Sequence, residues 1–157
     1  MRIHLQPANP AEAAAIAALQ VAAFQKLTAR FGPGPWSGKR TEKGVLFDMR
    51  NAVVYVLRQR NKVIATLTLG PKKPWAIDRK YFSKCDRPLY LTSMAVAPDL
   101  QRQGIGRRCL EDARKIVKQW PGGAIVWMPM MPRPVRVSSI ANVVSGKSAG
   151  RRIGTRR

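Results

Sequence analysis

The residues best suited to chemistry form one run, Met94-Ala95-Val96-Ala97-Pro98-Asp99-Leu100-Gln101-Arg102-Gln103-Gly104-Ile105-Gly106-Arg107-Arg108. An apolar strand leads into a proline turn, a polar loop follows, and glycines stand where a helix is expected to begin. Backbone N–H groups at a helix start have no intrahelical acceptor, so several can converge on one anion, and the helix dipole adds positive potential. Gly104 and Gly106 carry no Cβ, which lets a diphosphate approach the backbone closely, and Arg102, Arg107 and Arg108 bring charge to the same place. Glycines at a helix start often serve only a tight turn, but here strand, proline, glutamine and both glycines agree. A Walker-type phosphate loop is excluded because no GxxxxGK[ST] occurs, and a dinucleotide-binding fingerprint because its third glycine and later acid are missing.

Other chemistries find little support. His4 is the single histidine, and Cys85 and Cys109 lie far apart without a CxxC pattern. That set makes neither a convincing zinc site nor a nucleophile-histidine centre, and two reduced thiols are expected. No metal is expected.

The elements that must position the loop can be read along the chain. Ile3-His4-Leu5 is a short strand candidate. Asn9-Pro10-Ala11-Glu12 carries a cap, a first-turn proline and an acid, and starts an alanine-rich helix expected to run to about Lys26. Phe31 to Gly38 holds three Gly, two Pro and Trp36, a loop. Thr41 to Arg50 has Val45, Leu46 and Met49 at helical spacing. Val53–Leu57 and Val63–Leu69 are β-branched runs separated by Gln59-Arg60-Asn61-Lys62, an antiparallel hairpin. Gly70 to Arg87, rich in Pro and Lys, reads as a long connection, and Leu89–Val96 as a strong strand. Gly104 to about Gln119 is helical, with Ile105, Cys109, Leu110, Ala113, Ile116 and Val117 on one face, and Ala124-Ile125-Val126 opens a further strand. The order implies an α/β fold around a mixed sheet.

The loop resembles the acetyl-CoA binding motif of the GNAT N-acetyltransferase superfamily, Gln/Arg-x-x-Gly-x-Gly/Ala. Gln101, Gly104 and Gly106 fill its defined positions, and Val96-Ala97-Pro98 matches the usual strand exit. The resemblance extends over the element order from about Ile3 to Val126. It implies a mostly antiparallel mixed sheet flanked by helices, with acetyl-CoA as co-substrate seated where two central strands part. Backbone groups of Met94, Ala95 and Val96 would bond the pantetheine arm like an added strand. The loop around Gln101, with the amides of Arg102, Gln103, Gly104, Ile105, Gly106 and Arg107, would hold the diphosphate. The implied chemistry is direct attack of a primary amine, on a small molecule or peptide, upon the thioester. It needs a path for the amine proton and a proton donor for the leaving thiolate.

Catalytic groups are poorly specified. Tyr90 and Thr92 lie on the strand where the family often places a base or a water-holding residue, and packing is an equally good account of Tyr90. Trp36 is open between lining an acceptor pocket and packing on the core. Cys109 falls on the apolar helix face and reads as core.

The net charge is +21 over 157 residues. This admits a basic nucleic-acid binder, but no basic-aromatic recognition motif accompanies the charge. All eight acids lie between Glu12 and Asp112, whereas the chain from Val126 onward has seven Lys or Arg and no acid. Without that tail, 22 basic against 8 acidic residues leave +14. No apolar run reaches the roughly 20 residues of a membrane span, and the N-terminus lacks a signal-like apolar segment, so the cytoplasm is the default location. A homodimer stays open.

The tail departs from the family. Its members usually continue with an aspartate-rich turn, a helix bearing Phe-Tyr, and a Gly-Phe pair, the tyrosine commonly protonating the thiolate. Here the text runs Val126-Trp127-Met128-Pro129-Met130-Met131-Pro132, and neither tyrosine nor phenylalanine occurs beyond Tyr90. Trp and Met have single codons, so part of the DNA is known. In the frame one base earlier, Trp127-Met128 encodes aspartate, Met128-Pro129 alanine and Met130-Met131 aspartate, and Pro129-Met130 permits tyrosine. Further on, Ser138-Ser139-Ile140 permits Phe-Tyr, and Asn142 to Ser145 permits a Cys-Gly-Phe run. The expectation is a single-base deletion near the codon for Val126, in the gene or in its sequencing. The chain then divides into an acetyltransferase part, 1–125, and a basic tail, 126–157, expected to be irregular or disordered with the C-terminal part of the fold incomplete. An acetyl-CoA-binding but inactive protein is the corresponding alternative. DNA sequence across Ile125 to Arg157 decides between a shifted and an intact frame.

Overall fold

The computed structural model describes residues 3–74, 78, 80, 86–127 and 142–145. Six strands form one sheet in the order β1 (Gln6–Pro7), β2 (Val53–Gln59), β3 (Lys62–Gly70), β4 (Leu89–Val96), β5 (Ala124–Trp127) and β6 (Asn142–Ser145). Neighbours are antiparallel except β4 and β5, which are parallel. Helices α1 (Ala13–Phe31) and α2 (Glu42–Asn51) pack on one face, and α3 (Ile105–Lys118) on the other. The fold is the mixed, mostly antiparallel sheet with flanking helices that the sequence implies.

Local chemistry explains the boundaries. Asn9 and Glu12 close a capping box: the Asn9 side chain accepts from Ala11 N–H at 2.9 Å, and Glu12 accepts from Asn9 N–H at 2.7 Å. Helix α1 runs past the expected Lys26 to Phe31, because Gly32, at φ +80°, is the first residue suited to leave it; its N–H donates to the Thr28 carbonyl at 2.8 Å. The alanines that make α1 look featureless let it approach the sheet, with Ala13, Ala17 and Ala23 buried beside Ile16 and Leu19. Thr41 caps α2 by accepting from Gly44 N–H. Between β2 and β3 the hairpin turns on Arg60 and Asn61, both left-handed at φ 48° and 61°.

The first strand is displaced from expectation. Pairing occurs at Gln6–Pro7 rather than at Ile3-His4-Leu5, because Leu5 spends its backbone donor elsewhere: its N–H donates to Asp112 Oδ2 of α3 at 3.1 Å. Burial pushes the Asp112 carboxyl upward, but the bonds from Leu5, His4 and Lys115 outweigh it and hold the group below its ordinary value. On that face Leu57, Leu67, Leu91, Cys109, Ala113, Val117 and Ile125 form the core; each large apolar group there contributes about 1.5–3 kcal/mol.

Two expectations meet the edge of the described residues. Cys85 and most of the 75–85 connection lie outside them, as do 128–141 and 146–157 of the tail. Within the stretch expected to be irregular, Val126 and Trp127 continue β5, and Asn142–Ser145 pairs with β5 antiparallel, Ala124 opposite Ser145. Val143 and Val144 are β-branched, which suits that role.

Candidate functional site

Strand β4 carries the site. It pairs with β3 along its length, but with β5 only at Leu89–Ile125 and Tyr90–Val126, although β5 runs on to Trp127. Among the described residues, the edge of β4 from Leu91 to Val96 therefore has no second strand neighbour. The ladder to β3 also breaks there. Thr66 opposes Ala95 and Thr68 opposes Thr92, so Ser93 and Met94 share one opposing residue, with Ser93 at φ 51°. This is a β-bulge, which bends the strand and re-aims its backbone. Its effect on the side chains is plain: Leu89 and Leu91 pack toward α3, and so do Met94 and Val96. The inward residues change from odd to even numbers across Ser93, a phase slip that was visible in the sequence and would have revealed the bulge.

A chain of polar groups that starts from a buried amide holds the bulge. Gln20 of α1, 1 % exposed, donates through Nε2 to the Ser93 carbonyl at 3.3 Å and accepts at Oε1 from Arg40 Nε at 2.7 Å. The Arg40 guanidinium also pairs with Asp48 of α2 at 2.7 Å. None of Gln20, Arg40 or Asp48 stood out in the sequence. Gln20 in particular interrupts an apolar helix face, and a buried amide needs partners, which was the available signal.

After Val96 the chain leaves the sheet through Ala97, whose N–H donates to the Ile64 carbonyl at 2.9 Å, and makes one tight turn at Pro98–Leu100. Gln101 folds back and donates to the Val96 carbonyl at 3.1 Å, and Gln103 donates to Asp99 O at 3.2 Å. Both glutamines therefore brace the loop, and their side-chain amides point into it rather than outward. Arg102 is left-handed at φ 64° and Gly104 at φ 80°. Gly104 occupies the cap position of α3, where no side chain accepts from the first turn, and the first intrahelical bond is Arg108 N–H to Gly104 O at 3.0 Å. The N–H groups of Ile105, Gly106 and Arg107 thus start the helix without helical acceptors.

The two glycines differ. A Cβ on Gly104 would meet nothing within 4 Å, so open space lies before it, and its need for glycine comes from the positive φ. A Cβ on Gly106 would touch Met94 Cε at 3.5 Å and Val96 Cγ2 at 3.9 Å, ordinary contacts that leave room for a methyl group. Around this start, Arg102 and Arg107 are exposed, Ile105 packs half-buried on the core, and Arg107 pairs with Glu111 at 3.1 Å. The structure thus brings together all of the loop residues that the motif singled out, beside the free edge of Met94, Ala95 and Val96.

Tyr90 and Thr92 lie toward the other end of β4. Tyr90 is six positions before Val96, about 20 Å along a strand. Tyr90 is 3 % exposed and lines a cleft with Pro71, Lys73, Arg87, Pro88 and Trp120, while Thr92 is half-buried. Opposite Thr92 sits Thr68, 4 % exposed, whose hydroxyl has no partner among the described residues. Trp36 lines a cavity between α1 and the loop before α2, together with Phe24, Thr28 and Arg40. It is also buried: its Nε1 donates to Gly32 O at 3.2 Å, and its ring lies where a Cβ on Gly34 would be. Trp36 thus packs on the core and also borders the cavity. Cys109 is fully buried, and burial first, with the Asp112 charge second, pushes its thiol up to about 11. It is a core residue. Among the described residues no group of three or more His, Cys, Asp or Glu is placed to hold a metal ion, and no helix is long and apolar enough to cross a membrane.

Comparison with known proteins agrees with this geometry. No curated protein sequence matches the chain. Among solved structures, it is similar to a GNAT family acetyltransferase from Streptococcus agalactiae, with a TM-score of 0.65 and 13 % identity over 83 % of this chain and 78 % of that one. It is similar to a GNAT family acetyltransferase from Brucella melitensis, solved in complex with acetyl-CoA, with a TM-score of 0.59 and 16 % identity over 83 % of this chain and 77 % of the other. The ribosomal-protein-S18-alanine N-acetyltransferase from Escherichia coli is similar with a TM-score of 0.56 and 16 % identity, over 80 % of this chain but only 66 % of its own length. At such identities these structures speak for the fold alone. The sequence profile of the acetyltransferase (GNAT) family matches residues 21–132, well over half of the chain. On that match, which runs from within α1 through β5, the chain belongs to the GNAT acetyltransferase family.

Proposed function

We propose that this protein binds acetyl-CoA and transfers the acetyl group to a primary amine of a small molecule or peptide. The single observation that carries the reading is the uncapped start of α3, with left-handed Gly104 facing open space next to the edge of β4 that has no second strand neighbour among the described residues. The coenzyme supplies an acyl thioester. The amides of Ile105, Gly106 and Arg107 hold its diphosphate, with Arg102 exposed beside them. Backbone groups of Met94, Ala95 and Val96, turned outward by the bulge, orient the arm along β4. Gln101 and Gln103 act by keeping the loop in shape. An arm laid along β4 from the loop ends near Thr92, where β4 and β5 part. There the amine nitrogen attacks the carbonyl carbon, the C–S bond breaks, the amine gives up a proton and the departing thiolate gains one. In this reading Thr92 holds a water for that exchange, and Tyr90, buried beyond it, packs.

The test is a melting-temperature shift of the whole chain with CoA and with acetyl-CoA, followed by a thiol-release screen over small amines and peptide N-termini. The same screen on the frame-restored chain separates a complete enzyme from a coenzyme binder that lost its C-terminal chemistry. Binding without turnover by this chain, with turnover by the restored one, is the outcome expected from the codon reading. A second reading, nucleic-acid binding, is favoured by the net charge of +21. Steeply salt-dependent RNA or DNA binding without any response to CoA would establish it instead.

A further inference from the structure

Next to the loop lies a second concentration of positive charge that neither the motif nor the sheet requires. The C-terminal half of α1 and the loop before α3 enclose a cleft of about 370 Å³ lined by Lys26, Arg30, Gln101 and Arg102. Three of its four lining residues are cations, and none of them is paired with a carboxylate among the described residues. Lys26 and Arg30 are four residues apart on α1, so they share one helix face, where like charges repel. Each is nevertheless held in place. Lys26 Nζ donates to the Pro98 carbonyl at 2.8 Å, which fixes the ammonium against the strand exit and leaves two of its three donors unspent. The Arg30 guanidinium lies 4.9 Å from the centre of the exposed Phe31 ring. Arg102 adopts a left-handed backbone, a conformation that costs a non-glycine residue free energy and persists only where its surroundings enforce it.

Three cations from two elements around one cleft form an arrangement that an anion would stabilise. The cleft begins at Gln101 and Arg102, immediately before the amides of Ile105 to Arg107, so it adjoins the position given above to the diphosphate. Its volume suits a phosphate monoester with part of the sugar that carries it. In CoA, a phosphate monoester sits one ribose away from the diphosphate. We infer that Lys26, Arg30 and Arg102 form a second anion subsite that takes the 3′-phosphate of the coenzyme whose diphosphate rests on α3. This inference rests on the coenzyme reading above. It places α1, a helix on the far face of the sheet from α3, in direct contact with the donor.

The experiment is calorimetric titration of the full chain, at low salt, with CoA, with 3′-dephospho-CoA and with inorganic phosphate. The proteins are the wild type, Lys26→Ala/Arg30→Ala, and Arg30→Glu. The wild type is expected to bind CoA at least ten times more tightly than dephospho-CoA. The double variant and the charge reversal are expected to abolish that preference while leaving dephospho-CoA affinity within about twofold, a pattern that a misfolded variant cannot give. Raising the salt concentration should shrink the preference, because exposed charges are screened. Equal wild-type affinity for the two coenzymes overturns the subsite while leaving the diphosphate site standing. Equal weakening of both ligands in the variants also overturns it, since the cations then act through the loop. Inorganic phosphate bound without competing with CoA makes the cleft a free-anion site and ends the assignment. Failure of both coenzymes to bind the wild type ends the coenzyme reading and this inference with it.

Discussion

Replacing Gly104 and Gly106 one at a time by alanine should move stability in opposite directions. Gly104 stands at φ 80°, and an L-residue in that region costs about 1–2 kcal/mol. Its new Cβ would meet nothing within 4 Å, so no clash adds to the backbone cost. Gly106 lies inside α3 without a positive φ, and its new Cβ would make ordinary contacts with Met94 and Val96 at 3.5 and 3.9 Å. There the loss of backbone freedom in the unfolded chain favours alanine by about 0.5–1 kcal/mol. The two variants should therefore differ by about 1.5–3 kcal/mol, or several degrees in Tm for a domain of this size. Urea unfolding with unchanged m-values is the assay. CoA titration completes it: the Gly104→Ala methyl projects into the space assigned to the diphosphate and should weaken binding tenfold or more, whereas Gly106→Ala should leave it nearly unchanged. Gly104→Asn tolerates the left-handed backbone and separates strain from obstruction. A stable Gly104→Ala protein with normal CoA affinity, or a Gly106→Ala protein less stable than wild type, refutes the geometry on which the site is built.

Three further outcomes follow from buried groups. Thr68→Val removes a hydroxyl that is buried without a partner among the described residues and should leave stability unchanged or raise it by about 1 kcal/mol; a loss above that in urea unfolding would mean the hydroxyl is bonded. Asp112→Asn should cost roughly 1–2 kcal/mol at neutral pH by weakening the bond from Leu5. Because the carboxyl lies below its ordinary value when folded, its contribution is complete above the unfolded-state value and is lost as pH falls through the folded one. Wild-type and variant stabilities should accordingly converge on acidification, and a gap that is constant with pH contradicts the assignment. In a Cys85→Ser background, Cys109 should resist an aromatic disulfide reagent at mildly alkaline pH and react along the urea transition, since its thiol is pushed up to about 11; rapid labelling of the folded protein would show it to be accessible.

Much of the architecture was legible because local signals coincide. The Asn9–Glu12 capping box, the Arg60-Asn61 turn, the β-branched runs of β2 and β3 and the apolar face of α3 each have one physical solution, and the chain adopts it. The loop was legible for the same reason, as only glycine sits easily at Gly104. What escaped notice is non-local. The shift of β1 to Gln6–Pro7 depends on a carboxylate 107 residues away, at Asp112. Likewise the Gln20–Arg40–Asp48 chain and the cleft of Lys26, Arg30 and Arg102 exist only once α1 is laid across β4 and its exit. The strand Asn142–Ser145 lies in text without amphipathic pattern of its own, and only its pairing with β5 defines it.

The seam between β4 and β5 has a mechanical corollary. Antiparallel ladders bind β1 through β4 into one plate and β5 with β6 into another; among the described residues two ladder pairs, Leu89–Ile125 and Tyr90–Val126, join the plates, and α3 packs across the seam. Past that joint the backbone of β4 can take an added extended segment while every antiparallel rung stays intact, so seating a long, thin molecule there distorts little of the framework. The joining residues Leu89, Tyr90, Ile125 and Val126 are all buried, which keeps water away from the closed end of the seam.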